Sequence, residues 1–185
     1  LVPSSATAWS NLGGVLQMQG QFAESLEAYR HSLRLEPSKE AYSNLATTYF
    51  LQGRFAEAVA NYERAVELGE HDFVVQGNLA DALWQVPARH DEAVARYRRA
   101  ILLAESELEK TPGKSELHAQ LGYYYGRIGD PGRSRRYLAE AVASGPDLLY
   151  VQYFAGIAAA DRGDRAEGLR AVRRQHRPRR LRPAG

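Results

Sequence analysis

Asn11, Asn44 and Asn78 each stand directly before a leucine, at intervals of 33 and 34 residues, and Gln120 stands before Leu121 in the same way. A primary carboxamide carries two donors and an acceptor, so a row of them can pair with the N–H and C=O groups of an extended peptide without demanding a side-chain sequence. The simpler reading of the same amides is as solvated side chains. Chemistry that makes or breaks bonds has no such support. The five histidines, His31, His71, His90, His118 and His176, are scattered without metal-ligand spacing and read as surface or helix-cap residues. The absence of cysteine excludes disulfides, thiolate metal sites and thiol nucleophiles. Acidic pairs such as Glu24 and Glu27, or Asp91 and Glu92, read as solvated helix turns. Neither a Gly-x-Ser-x-Gly elbow nor a phosphate loop occurs. No catalytic residue, metal site or cofactor is expected, and the chain is not expected to be an enzyme.

The elements that carry the amides repeat. Trp9-Ser10-Asn11-Leu12-Gly13 aligns with Tyr42-Ser43-Asn44-Leu45-Ala46 at an offset of 33, and the register holds through Gly20 and Gly53, Phe22 and Phe55, Tyr29 and Tyr62, and Leu35 and Leu68. A third copy starts near Asp72 with one extra residue in its turn. A fourth carries Leu121-Gly122, Gly129 and Leu138, and a weaker fifth carries Ala155-Gly156, Gly163 and Leu169. The spacing of Trp9, Leu12, Gly13 and Leu16 puts them on one helical face, and Phe22, Leu26, Tyr29 and Leu33 do the same in the next run. Gly20 fits the left-handed end of a helix, and Pro37, Pro112 and Pro146 fall where second helices should stop. Gly13, Ala46, Ala80, Gly122 and Gly156 are expected where the two helices of a copy meet, with Tyr29, Tyr62, Tyr97 and Leu138 filling the space toward the next copy. The predicted copies span 6–38, 39–71, 72–114, 115–148 and 149–176, the third with its second helix extended through Glu105–Lys110. One solenoid over 1–176 with a basic, disordered tail at 177–185 follows.

The 185 residues are 44% hydrophobic and 25% charged, enough for a sizeable core. The net charge of +2 conceals an asymmetry. Seven arginines lie from Arg170 on and no acid follows Glu167, which leaves residues 1–169 with 17 basic against 22 acidic groups. The tail lacks aromatic residues to stack on bases. Nucleic acid is therefore not expected as a partner, except through the arginines. No apolar run reaches the roughly 18 residues of a membrane span, and no leader is visible from Leu1 to Asn11, so membrane insertion is not expected.

The pattern W-x-x-L-G-x-x-L…G-x-F…Y…P over Trp9 to Pro37 resembles the tetratricopeptide repeat. That resemblance implies an all-α, right-handed superhelical solenoid of about five helix-turn-helix repeats. It also implies a concave groove lined by the first helix of each repeat. On that family pattern the groove residues are Asn11, Asn44, Thr47, Phe50, Asn78, Asp81, Trp84, Gln120, Tyr123, Arg127 and Tyr153. Phe50, Trp84, Tyr123 and Tyr153 are either apolar anchors for a partner or stacks between adjacent helices. Ser10 and Gly14 occupy the places where family members that clamp a C-terminal carboxylate carry charged and amide side chains, so that mode is not expected. Later copies depart from the signature: Gln76 and His118 replace the first aromatic, and Glu70 stands where proline is usual. The implied function is a non-catalytic scaffold that binds a protein or peptide. Residues 77–101 are similar to repeats attached to bacterial eukaryotic-like serine/threonine kinases and signalling regulators, so the alternative is a docking or sensing arm of such a protein. The implied compartment is the cytoplasm, or the periplasm beside a membrane-anchored upstream part.

Overall fold

The computed structural model describes residues 5–144. Among them the regular structure is entirely helical: α1 (Ala6–Met18), α2 (Phe22–Leu35), α3 (Lys39–Leu51), α4 (Phe55–Leu68), α5 (Phe73–Trp84), a 3-10 turn (Pro87–Arg89), α6 (His90–Lys110), α7 (Ser115–Arg127) and α8 (Pro131–Ser144). None of these helices is long and apolar enough to cross a membrane. The weak fifth copy and the arginine-rich tail lie outside the described residues.

Local chemistry sets the helix ends. Ser5 and Ser38 cap α1 and α3, their hydroxyls accepting from Ala8 N and Ala41 N. The turns α1–α2, α3–α4 and α7–α8 each place a glycine at positive φ, with Gly20 at 75°, Gly53 at 72° and Gly129 at 80°. The next residue then donates back into the helix, as in Gln21 N to Leu16 O and Arg54 N to Tyr49 O, both 2.9 Å. This closes the last carbonyls without side chains, and only glycine adopts the conformation at no steric cost.

The chain divides into two compact units, Leu1–Ala100 and Ile101–Gly185, described separately. In the first, α1 packs on α2 and α3 on α4. Helix α2 contacts α3, α4 contacts α5, and the first helices touch in turn, α1 with α3 and α3 with α5. Tyr29, Tyr62 and Tyr97 are buried, each with its hydroxyl directed to the first helix of its own hairpin (Gln17, Thr47 and Asp81), in a core that also holds Leu26, Leu45, Val59, Leu79 and Leu83. The small residues have the role the spacing predicts: a Cβ added to Gly13 would stand 2.8 Å from the Tyr29 ring. Polar staples join successive hairpins. Arg30 donates to the Tyr49 hydroxyl at 2.7 Å, Thr48 to Gln17 Oε1 at 2.9 Å, and Arg89 to Glu63 at 2.9 Å.

Asp72 does two jobs in this unit. Its Oδ1 caps α5 through Val74 N and Val75 N, and its Oδ2 takes Lys39 Nζ at 2.7 Å. Burial pushes the Asp72 carboxyl up, but the Lys39 ammonium and the two N–H groups outweigh it and hold the group below the ordinary carboxylate range. A carboxyl depressed by folding stabilises above its unfolded pKa, and that contribution disappears as pH falls through the folded value. The loss therefore sets in below about pH 4. Asp72→Ala is expected to cost about 1 kcal/mol at pH 7. Asp72→Asn is expected to flatten the acid limb of stability, as urea unfolding at pH 7 and pH 3 would read.

In the second unit α7 packs on α8. Glu105, in the C-terminal part of α6, accepts from Tyr125 at 2.7 Å and from Tyr137 at 3.1 Å, and the two phenol rings stack at 5.6 Å. Burial, then the Glu105 charge, pushes the Tyr125 phenol up to about 12. A Cβ on Gly122 would meet Leu138 Cγ at 2.6 Å and Leu138 N at 3.2 Å, and a backbone atom yields little. Gly122→Val is expected to cost about 1–3 kcal/mol by overpacking, read as a lower thermal midpoint.

Two departures from the repeat signature find their reasons here. Gln76, where Trp9 and Tyr42 stand in the first copies, is buried. It donates to Glu70 O at 3.0 Å and accepts from Arg96 at 3.3 Å. His118 is a correction to the expectation of a surface or helix-cap histidine. It is buried, its Nδ1 lies 3.0 Å from Lys114 O, its Nε2 is 3.4 Å from Glu140, and its ring packs 6.1 Å from that of Tyr137. His31, His71 and His90 are exposed, and His176 lies outside the described residues.

Candidate functional site

Asn11 is the sixth residue of α1, Asn44 the sixth of α3 and Asn78 the sixth of α5. Identical helix register on three helices that touch in order puts the three amides in one row on one unit. Asn11 and Asn44 are exposed and Asn78 half-buried. Among the described residues no hydrogen bond engages these three side chains, whereas the chain's other asparagine, Asn61, donates to Glu57 O at 2.8 Å. The row therefore presents unspent donors and acceptors to solvent.

The ninth residues of the same helices are Gly14, Thr47 and Asp81. Thr47 donates to Ser43 O at 2.9 Å and lies 2.8 Å from the Tyr62 hydroxyl, so the phenol supplies the proton of the second bond. The Tyr97 hydroxyl donates to Asp81 at 2.5 Å. Burial pushes the Tyr62 phenol up to about 12, so it donates throughout the ordinary pH range. Toward the C-terminal ends of the helices the face turns apolar. Met18 is 83% exposed and Leu51 55%, with Phe50 and Trp84 half-buried beside them. Phe50 rests edge-on against Phe55 at 5.4 Å, and Trp84 stacks on His90 at 4.8 Å. Both aromatics thus pack on their own hairpin while keeping part of their surface open.

Asn11, Asn44, Thr47, Phe50, Asn78, Asp81 and Trp84 lie together on α1, α3 and α5 of the first unit. Gln120, Tyr123 and Arg127 lie on α7 of the second, where Gln120 and Tyr123 are buried and Arg127 half-buried. Tyr153 is outside the described residues. Sequence reasoning passed over Gln17, Met18 and Leu51. It weighed Gly14 only for a missing clamp, although the offset of 33 sets Gly14 against Thr47. Among the described residues no group of histidine and acidic side chains is placed to hold a metal ion.

The tetratricopeptide repeat family model matches residues 4–71, and a second model of the same description matches residues 149–174. The chain is a tetratricopeptide repeat protein. Solved structures share the fold. The thermophilic TPR protein TTC0263 of Thermus thermophilus superposes with a TM-score of 0.68 at 19% identity, over 96% of this chain and 94% of that one. PilF of Pseudomonas aeruginosa gives 0.64 at 18% identity, over 94% and 77%. YrrB, described as a TPR protein with an unusual peptide-binding site, gives 0.54 at 18% identity, over 91% and 84%. No curated protein matches. The fold is thus an all-α helical solenoid of tetratricopeptide repeats, a class that in general mediates protein–protein interaction without catalysis.

Proposed function

We propose that the face formed by α1, α3 and α5 binds an extended peptide segment of a partner protein, with Asn11, Asn44 and Asn78 pairing to its backbone. The observation that carries the reading is the row of three carboxamides in identical helix register, each without a hydrogen-bond partner among the described residues. Met18, Phe50, Leu51 and Trp84 supply the apolar surface that side chains of the segment would cover, and methionine, phenylalanine and tryptophan are enriched at interfaces. Adjacent packed helices stand about 8–10 Å apart. Three of them span two such steps, which an extended chain rising about 3.3 Å per residue crosses in roughly six residues.

A labelled positional-scanning library of acetylated, amidated decapeptides tests this. The wild-type protein should retain library members, and the triple variant Asn11→Ala, Asn44→Ala, Asn78→Ala should not, with an unchanged helical spectrum. Equal retention by both would refute backbone reading by these amides.

A further inference from the structure

The three hairpins of the first unit share a device at the ninth position of their first helix, and in one of them that position carries no side chain. In the second hairpin the buried Tyr62 hydroxyl meets Thr47 Oγ1 at 2.8 Å, and in the third the Tyr97 hydroxyl meets Asp81 at 2.5 Å. In the first hairpin the ninth residue is Gly14, which has no side chain to offer. The Tyr29 hydroxyl instead reaches Gln17 Oε1 at 3.4 Å. That is long for a bond between a hydroxyl and an oxygen, whose ordinary range ends near 3.0 Å. The same Gln17 oxygen lies 2.9 Å from Thr48 Oγ1, whose single proton is shared with Asn44 O at 3.0 Å. Its two lone pairs leave a site for the phenol, so the Tyr29 bond is weak and not absent. Tyr29 as a whole is 1% exposed, and the one atom a Cβ on Gly14 would meet is its hydroxyl, so Gly14 is the side from which a second group could approach the phenol.

Space exists for the missing group. A Cβ on Gly14 would meet the Tyr29 hydroxyl at 3.6 Å, an ordinary contact, with nothing nearer. Gly14 is half-buried and lies three residues along α1 from Asn11, so its opening adjoins the amide row. The sibling hairpins show which groups satisfy such a phenol: a hydroxyl or a carboxylate. α1 carries no charged residue, and a hydroxyl, unlike a carboxylate, needs no cation beside it.

The geometry points to a hydroxyl-selective subsite over Gly14: the bound segment sets a serine or threonine side chain against Gly14, its hydroxyl hydrogen-bonded to the Tyr29 phenol. This rests on the peptide-binding reading above and names the side chain that the segment must carry opposite α1. The amides read backbone and impose no sequence. Gly14 imposes one.

The decapeptide library serves as the probe. Wild-type protein should favour serine and threonine over alanine about fivefold at one position, the worth of one neutral hydrogen bond. Gly14→Thr supplies the hydroxyl from the protein's own side and should abolish that preference while leaving preferences at other positions in place. Tyr29→Phe should abolish it as well. The thermal midpoint of Gly14→Thr should not fall, since threonine replaces glycine inside a helix. No preference in the wild type, or one that survives Gly14→Thr, removes the subsite even where retention depends on the asparagines. Failure of the wild type to retain any peptide removes the peptide-binding reading, and the subsite with it.

Discussion

Tyr62→Ala is expected to destabilise the first unit by about 3–5 kcal/mol, the range for deleting a large buried aromatic side chain. Tyr62 is 3% exposed, bonds Thr47 of its own hairpin, feels the charge of Asp81 on the next, and lies on α4, the helix that packs against α5. Its removal leaves a cavity that Ala46 and Ala80, already at helix contacts, are too small to fill. In a stack where each repeat touches only its neighbours, losing the middle interface also uncouples what lies on either side. The thermal midpoint should drop by about 10 °C or more. Tyr62→Phe separates the ring from its hydroxyl. It forfeits one hydrogen bond to Thr47, about 0.5–1.5 kcal/mol, and keeps the packing. Equal losses in the two variants would mean that the ring does not hold the hairpins together.

The triple asparagine variant is expected to lose about a hundredfold in peptide affinity. Each amide that pairs with a peptide group contributes about 1 kcal/mol net, and three independent sites add when they share no partner. About 3 kcal/mol corresponds to about two powers of ten in Kd. Folding should change little, because none of the three side chains holds another part of the described protein. The signature is therefore lost affinity at constant thermal midpoint, the reverse of what Tyr62→Ala produces. Asn61→Ala serves as a control of equal chemistry, since that amide is spent on Glu57 O.

Helix positions were legible because the repeat states them several times. Trp9 and Tyr42, Gly20 and Gly53, and Tyr29 and Tyr62 constrain one another, and a hairpin that must stack on its copy has few other ways to bury them. The amide row was legible for the same reason, as Asn11, Asn44 and Asn78 keep that register. Where a copy departs from the pattern, sequence reasoning loses its reference. His118 looked like a surface histidine because polar residues mostly are, but its place in α7 is the slot of an aromatic ring, and packing decided. Gln120 and Tyr123 hold groove positions by register, yet both are buried, because periodicity fixes which face a residue occupies and leaves open what covers it. The subsite over Gly14 escaped notice because it depends on how far the Tyr29 hydroxyl reaches, a distance that no spacing encodes.

The side-chain amide resonances of the four asparagines test the central claim most directly, in a two-dimensional nitrogen–proton spectrum of labelled protein titrated with a decapeptide from the retained pool. The three pairs of signals from Asn11, Asn44 and Asn78 should move together and saturate at one peptide concentration, while the pair from Asn61 stays in place. Saturable binding that leaves those three pairs unmoved would contradict the account, since a peptide backbone cannot pair with the row and leave its N–H groups undisturbed.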